Sequence, residues 1–97
     1  MEEDLLKIIN HYGIGNQLKY IHSEYFELDE AIIEFEKASE WTPSMVENCK
    51  NHIAEEIADV MVMLKQFQYY YDISNEHIEK IMREKIKRQL ERIEKDK

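Results

Sequence analysis

From residue 16 to residue 73 a single proline, Pro43, is the only residue of the helix-breaking kind. On either side of it apolar residues recur at alternating steps of three and four. Leu18, Ile21, Tyr25, Leu28, Ile32 and Phe35 precede the break; Ile53, Ile57, Val60, Leu64, Phe67 and Tyr71 follow it. That spacing is the seam of a packed helix, not the alternation of a strand. Thr42 is a good N-cap and Pro43 suits the first helical position. The pattern therefore predicts two long helices, over 16–39 and 43–71, folded back on each other as an antiparallel hairpin at Trp41-Thr42. The polar run Glu47-Asn48-Cys49-Lys50-Asn51 is a candidate loop that would delay the second of them. Gly13-Ile14-Gly15 closes a short helix over 2–12 whose apolar residues are Leu5, Leu6, Ile8 and Ile9. Ser74 caps a last helix over 75–94 with apolar Ile78, Met82, Ile86, Leu90 and Ile93.

Composition narrows the class further. Two Gly and one Pro in 97 residues exclude a collagen-like or low-complexity chain. A hydrophobic fraction of 43% with helical period argues against disorder, and the scarcity of turn signals argues against a β-sandwich. With no repeat and no linker, residues 1–97 read as one domain. The expected fold is all-α, an antiparallel four-helix bundle. Its helices are too long for so short a chain to cover them all, so completion by a homodimer or homotetramer is expected. Cys49 is alone, which excludes an internal disulfide and ligation by paired cysteines. The acidic start and the lack of a long uncharged apolar run predict neither a secretory signal nor a membrane span, and a cytoplasmic location. A formal charge of -8 argues against a nucleic-acid polymer as partner. That charge is local: residues 1–72 carry -10 and residues 73–97 carry +2.

Two acidic pairs stand out. Glu24 and Glu27 are neighbours on one helix face, and Glu56 and Asp59 repeat the spacing on the next long helix. Each immediately precedes a stripe residue, so both pairs flank the seam on the same side. The midpoints of the pairs are symmetric about residues 41 and 42, the predicted turn, so the hairpin brings all four carboxylates to one level. None has a Lys or Arg three or four residues away on its own helix to offset it. Such a cluster repels itself or raises its pKa values unless a cation enters. Oxygen ligands without Cys favour Mg²⁺ or Mn²⁺ over zinc. A di-iron carboxylate bundle would want Glu-x-x-His on two helices, and no His here has a Glu three residues before it. The plain alternative is a solvated acidic face, since Glu-x-x-Glu also occurs by chance at Glu76/Glu79 and Glu27/Glu30.

These residues carry a resemblance. Gln17-Leu18 and Glu24-Tyr25-Phe26-Glu27-Leu28-Asp29-Glu30-Ala31-Ile32 resemble the first motif of MazG-like nucleotide pyrophosphohydrolases. Glu55-Glu56-Ile57-Ala58-Asp59-Val60 is similar to their second, and Glu84-Lys85-Ile86-Lys87-Arg88 to their basic fourth-helix segment. The likeness covers about residues 14–93. It implies an all-α enzyme that hydrolyses a nucleoside triphosphate to the monophosphate and pyrophosphate with Mg²⁺. Related branches act on dUTP or phosphoribosyl-ATP. It further implies that Glu24, Glu27, Glu56 and Asp59 ligate the metal and serve catalysis, and that Lys85 and Arg88 approach the phosphates. Arg83 stands where many members have Asn, and an Arg there could bind phosphate instead.

Other residues have plainer readings. Phe67 and Tyr69-Tyr70-Tyr71 suit core and oligomer contacts, Trp41 packing at the hairpin tip, Met61 and Met63 core gaps. Gln17 suits a helix start, though it could read a base edge; Arg92, Lys95 and Lys97 suit a solvated surface, and the four His receive no role. Two functions are therefore expected alternatives: a Mg²⁺-dependent nucleotide pyrophosphohydrolase for nucleotide-pool housekeeping, or a non-enzymatic helical oligomerisation or partner-binding module.

Overall fold

Apolar residues at helical spacing make every long element among the described residues an α-helix. The computed structural model describes residues 1–41 and 43–96, with the side chains of all of these except Ser39 and Trp41. The Thr42 cap, the packing of Trp41 and the surface role of Lys97 lie outside the described residues. The helices are α1 (Glu2–Tyr12), α2 (Ile14–Trp41), α3 (Val46–Tyr70) and α4 (Asn75–Lys95). Among the described residues there is no strand, and no helix is long and apolar enough to cross a membrane.

The breaks follow local chemistry. Gly13 takes φ +89°, the left-handed region that a glycine enters without cost, and its N–H donates to the Ile9 carbonyl at 2.8 Å. α2 then starts at once, so Gly15 lies inside its first turn and not in a linker. Pro43–Met45 forms a 3₁₀ turn leading into α3, and Glu47–Asn51 is helical, which removes the candidate loop. Beyond α3, Asp72 adopts φ +55°, a conformation that Asp tolerates better than most residues. Ser74 caps α4 as expected, its hydroxyl accepting from the His77 N–H at 3.1 Å.

α2 and α3 form the antiparallel hairpin, and α1 packs mainly on α3. The core is Leu5 and Ile9 of α1, Ile21, Ala31 and Ala38 of α2, and Val60 and Met63 of α3. The buried line departs from the expected seam at alternate positions. Gln17, Glu24 and Ala31 face inward where Leu18, Tyr25 and Ile32 were expected, and Glu56 and Met63 where Ile57 and Leu64 were. The displaced residues are 43–51% exposed. Two stripes one residue apart both satisfy the 3/4 spacing, and the stripe with Ala31 and Ala38 lets two helices approach closely. Met61 is likewise 54% exposed and fills no core gap. Of the aromatic run, Phe67 and Tyr69 are half-buried while Tyr70 and Tyr71 are exposed.

The expected four-helix bundle is seen only in part, with α1, α2 and α3 packed together. Among the described residues α4 packs on none of the other three helices, and no residue of it is buried. Its root is nevertheless fixed: Lys65 Nζ, Gln68 Nε2 and the Tyr69 hydroxyl all donate to Asn75 Oδ1, at 2.7, 2.8 and 3.3 Å. The radius of gyration is 17.1 Å, against about 12.5 Å for a compact chain of this length.

Candidate metal centre

α2 supplies Glu24 and Glu27, and α3 supplies Glu56 and Asp59. One carboxylate oxygen from each lies within 4.8 Å of the other three. The antiparallel hairpin produces this directly. A rung further along it, Gln17 Nε2 donating to Gln66 Oε1 at 2.8 Å, is centred on the same residues 41 and 42 as the four acids. Glu24 and Glu56 are buried in the seam, and Glu27 and Asp59 are exposed beside it. The expectation that all four merely flank the seam is corrected accordingly: two of them are part of it.

The electrostatics follow from that placement. Burial raises the Glu24 carboxyl above its ordinary value, and the charges of Glu27, Asp59 and Glu56 add to the shift, against a hydrogen bond from Tyr20. Glu56 is raised by burial first, then by the charges of Glu27 and Asp59, with His52 pulling the other way. The Tyr20 hydroxyl is raised mainly by the charge of Glu24. Glu24 Oε2 and Glu56 Oε2 are buried without any hydrogen-bond partner. A buried carboxylate oxygen that lacks a donor is costly, and a cation offsets that cost. An ion ligated at Mg²⁺ distances would hold opposite oxygens about 4.2 Å apart, so the quartet needs to close only slightly. Four hard oxygen donors, two of them buried and unsatisfied, could hold a metal ion.

The basic residues expected at the phosphates are not brought to this quartet within the chain. Lys85, Arg88 and Arg83 all lie on α4, which stands apart. Lys85, Arg88, Gln89 and Arg92 line a shallow cleft of about 130 Å³ on that helix, and Arg83 Nη2 donates to Glu79 Oε1 at 2.8 Å. Gln17 is not a simple helix-start residue: it is 6% exposed and lines a cleft of about 330 Å³ with Ile8, Tyr12, Tyr20 and Gln66.

Three neighbours of the quartet, Tyr20, His52 and Glu34, received no role from the sequence. Tyr20 reaches Glu24 from one turn before it. His52 lies one turn before Glu56, with Nε2 3.2 Å from Glu56 Oε1, and its Nδ1 is 3.4 Å from Glu34 Oε2 on α2. The His-x-x-x-Glu spacing at 52 and 56 was the available signal; a search for Glu-x-x-His passes over it. Comparison with protein-family models, with curated proteins and with solved structures finds no match to this chain.

Proposed function

We propose that the chain is a divalent-cation-dependent hydrolase and, within that class, a Mg²⁺-dependent nucleoside triphosphate pyrophosphohydrolase of the MazG-like kind, with Mn²⁺ as a substitute. The observation that carries the reading is the quartet whose two buried members each keep an oxygen without a partner. Tyr20 and His52 each engage one of the buried glutamates, and neither reaches the unpartnered oxygens.

Glu24, Glu27, Glu56 and Asp59 would hold the ion. When bound, Mg²⁺ supplies charge neutralisation for the triphosphate and activation of water. The chain's own residues do the rest. Glu24 and Glu56 fix the site in the seam, while the exposed carboxylates of Glu27 and Asp59 face solvent, where one of them can take the proton of the attacking water. Without a cation the four negative charges repel a triphosphate, so substrate and ion bind together.

Lys85, Arg88 and Arg83 complete the phosphate grip from a second copy of the chain. The accessible surface supports an oligomer. It is 7916 Å², whereas a folded monomer of this mass exposes about 5,900 Å². The excess, roughly 2,000 Å² per chain, exceeds the ~800 Å² that each partner buries in a standard interface. The outward rows Leu18, Tyr25, Ile32 and Ile57, Met61, Leu64 and the apolar row of α4 are the surfaces available to cover it.

The test is pyrophosphate release from a panel of common and modified nucleoside triphosphates, dUTP and phosphoribosyl-ATP with Mg²⁺, repeated with a chelator. Turnover on at least one substrate, abolished by the chelator, is expected. Absence of turnover on all of them would favour the helical oligomerisation module instead.

A further inference from the structure

Each buried glutamate of the quartet is held by one group and leaves its other oxygen unpartnered. At Glu56 the holding group belongs to a relay that crosses the hairpin: Glu34 on α2, then His52, then Glu56 on α3. Glu34 Oε2 lies 3.4 Å from His52 Nδ1, and His52 Nε2 lies 3.2 Å from Glu56 Oε1. Glu56 Oε2, the other oxygen of the same carboxylate, is buried and without a partner. His52 is itself 42% exposed in its side chain and carries little of the core, so its position is explained by what it touches, not by what it covers.

We propose that His52, oriented by Glu34, is a positioning residue for the cation site. It engages Glu56 Oε1, which fixes the plane of the carboxylate and turns Oε2 toward the other three acids. Rotation about the last side-chain bond of a free carboxylate is broad, and the His52 contact narrows it to the range that keeps the second oxygen in the buried seam. Orienting partners of this type contribute about 10–100-fold to metal affinity in general. The geometry also assigns Glu34 its part. An imidazole free to rotate would hold Glu56 in several planes, whereas one pinned from α2 holds it in one. The proposal rests on the reading of the quartet as a cation site, and the experiment separates the two.

Mn²⁺ binding to the whole chain is followed by electron paramagnetic resonance, with circular dichroism and melting recorded on the metal-free proteins as a check on folding. His52→Ala is expected to weaken Mn²⁺ binding about 10–100-fold at unchanged helix content. His52→Gln, whose amide can still donate to Glu56, is expected to recover part of the loss. Glu34→Ala is expected to give a smaller loss that disappears in the His52→Ala background, because both act through one contact. His22→Ala, on the same hairpin but outside the relay, is the control. Wild-type Mn²⁺ binding with His52→Ala within twofold of it overturns the positioning role and leaves the cation site intact. Failure of the wild-type chain to bind Mn²⁺ overturns both. Equal losses in His52→Ala and His52→Gln overturn the orienting contact.

Discussion

The buried carboxylates of Glu24 and Glu56 are costly on their own and would be stabilised by an ion, and the two effects predict opposite signs for a single substitution. Glu24→Gln removes one of four clustered charges and gives the neighbouring acids an N–H donor. We expect the metal-free protein to melt several degrees higher, since about 1 kcal/mol corresponds to ~4–8 °C at this size. The same variant should lose the Mg²⁺-induced rise in melting temperature that the wild type shows through linkage. Asp59→Ala should keep the helical circular dichroism spectrum and lose Mg²⁺-dependent pyrophosphate release by at least a hundredfold, on the order of an essential ligand's contribution. The pH dependence follows from the same groups. Glu24 and Glu56 are raised above 4.5, and His52 is raised above 6.5 by Glu34 and Glu56, which outweigh the lowering by burial. A group with a raised pKa binds its proton more tightly in the folded state. Its stabilisation is full below the unfolded value and is lost as pH passes the folded one. The metal-free protein should therefore melt progressively lower as pH rises from about 4.5 to beyond 6.5. Saturating Mg²⁺, which competes with those protons, should flatten the profile. A metal-free melting temperature that rises across that range would contradict the clustering.

At the scale of the helices, what could be read in advance and what could not divide along physical lines. Helix identity came from the 3/4 spacing and the few breaks, and α1 and α4 match the expected spans almost residue for residue. The level of the four acids followed from symmetry about the turn. Burial of Glu24 in place of Tyr25 did not, because both positions belong to apolar-compatible stripes, and the choice depends on how closely Ala31 and Ala38 let α3 approach. The Glu34–His52 contact depends on side-chain reach across the hairpin, which spacing does not encode, whereas His52 and Glu56 are four apart on one helix. The Gln17–Gln66 rung is similar: a pair of buried carboxamides makes sense only when the partner helix is in place. It gives a test of its own. Gln66→Leu leaves the Gln17 amide buried without its acceptor and should cost about 1–3 kcal/mol. The double variant Gln17→Leu/Gln66→Leu should recover most of that loss in denaturant unfolding. Additive losses would mean that the rung is not a coupled pair.

For the whole molecule, the decisive fact is that α4 stands away from the hairpin with Met82, Ile86, Leu90 and Ile93 each 54–58% exposed. Its position could not be inferred from the amphipathic pattern, which states that a face will be covered and not by what. If a second copy covers it, Ile86→Lys/Leu90→Lys should convert the oligomer to a monomer in light scattering while α1–α3 keep their helicity. Mixing should also rescue function. An Asp59→Ala chain and a Lys85→Ala/Arg88→Ala chain, each inactive alone, should regain activity when co-assembled, because one protomer then offers an intact quartet and its partner an intact α4. Absence of rescue in a verified mixed assembly would confine the phosphate grip to one chain or remove it.

The rung between Gln17 and Gln66 has a consequence for how this hairpin tolerates change. It sits near the open end, about 37 Å along the helices from residues 41 and 42, with the acids between it and the tip. The two helices are thus keyed to each other from the end opposite their connection. A sliding error of one turn would strand both carboxamides, whatever the connection does. Flexible residues inserted beside Pro43 should therefore cost little, since each doubling of such an insertion adds only about 0.6 kcal/mol. Insertions at that point should leave the acids level, and a chain nicked there should still reassemble in register.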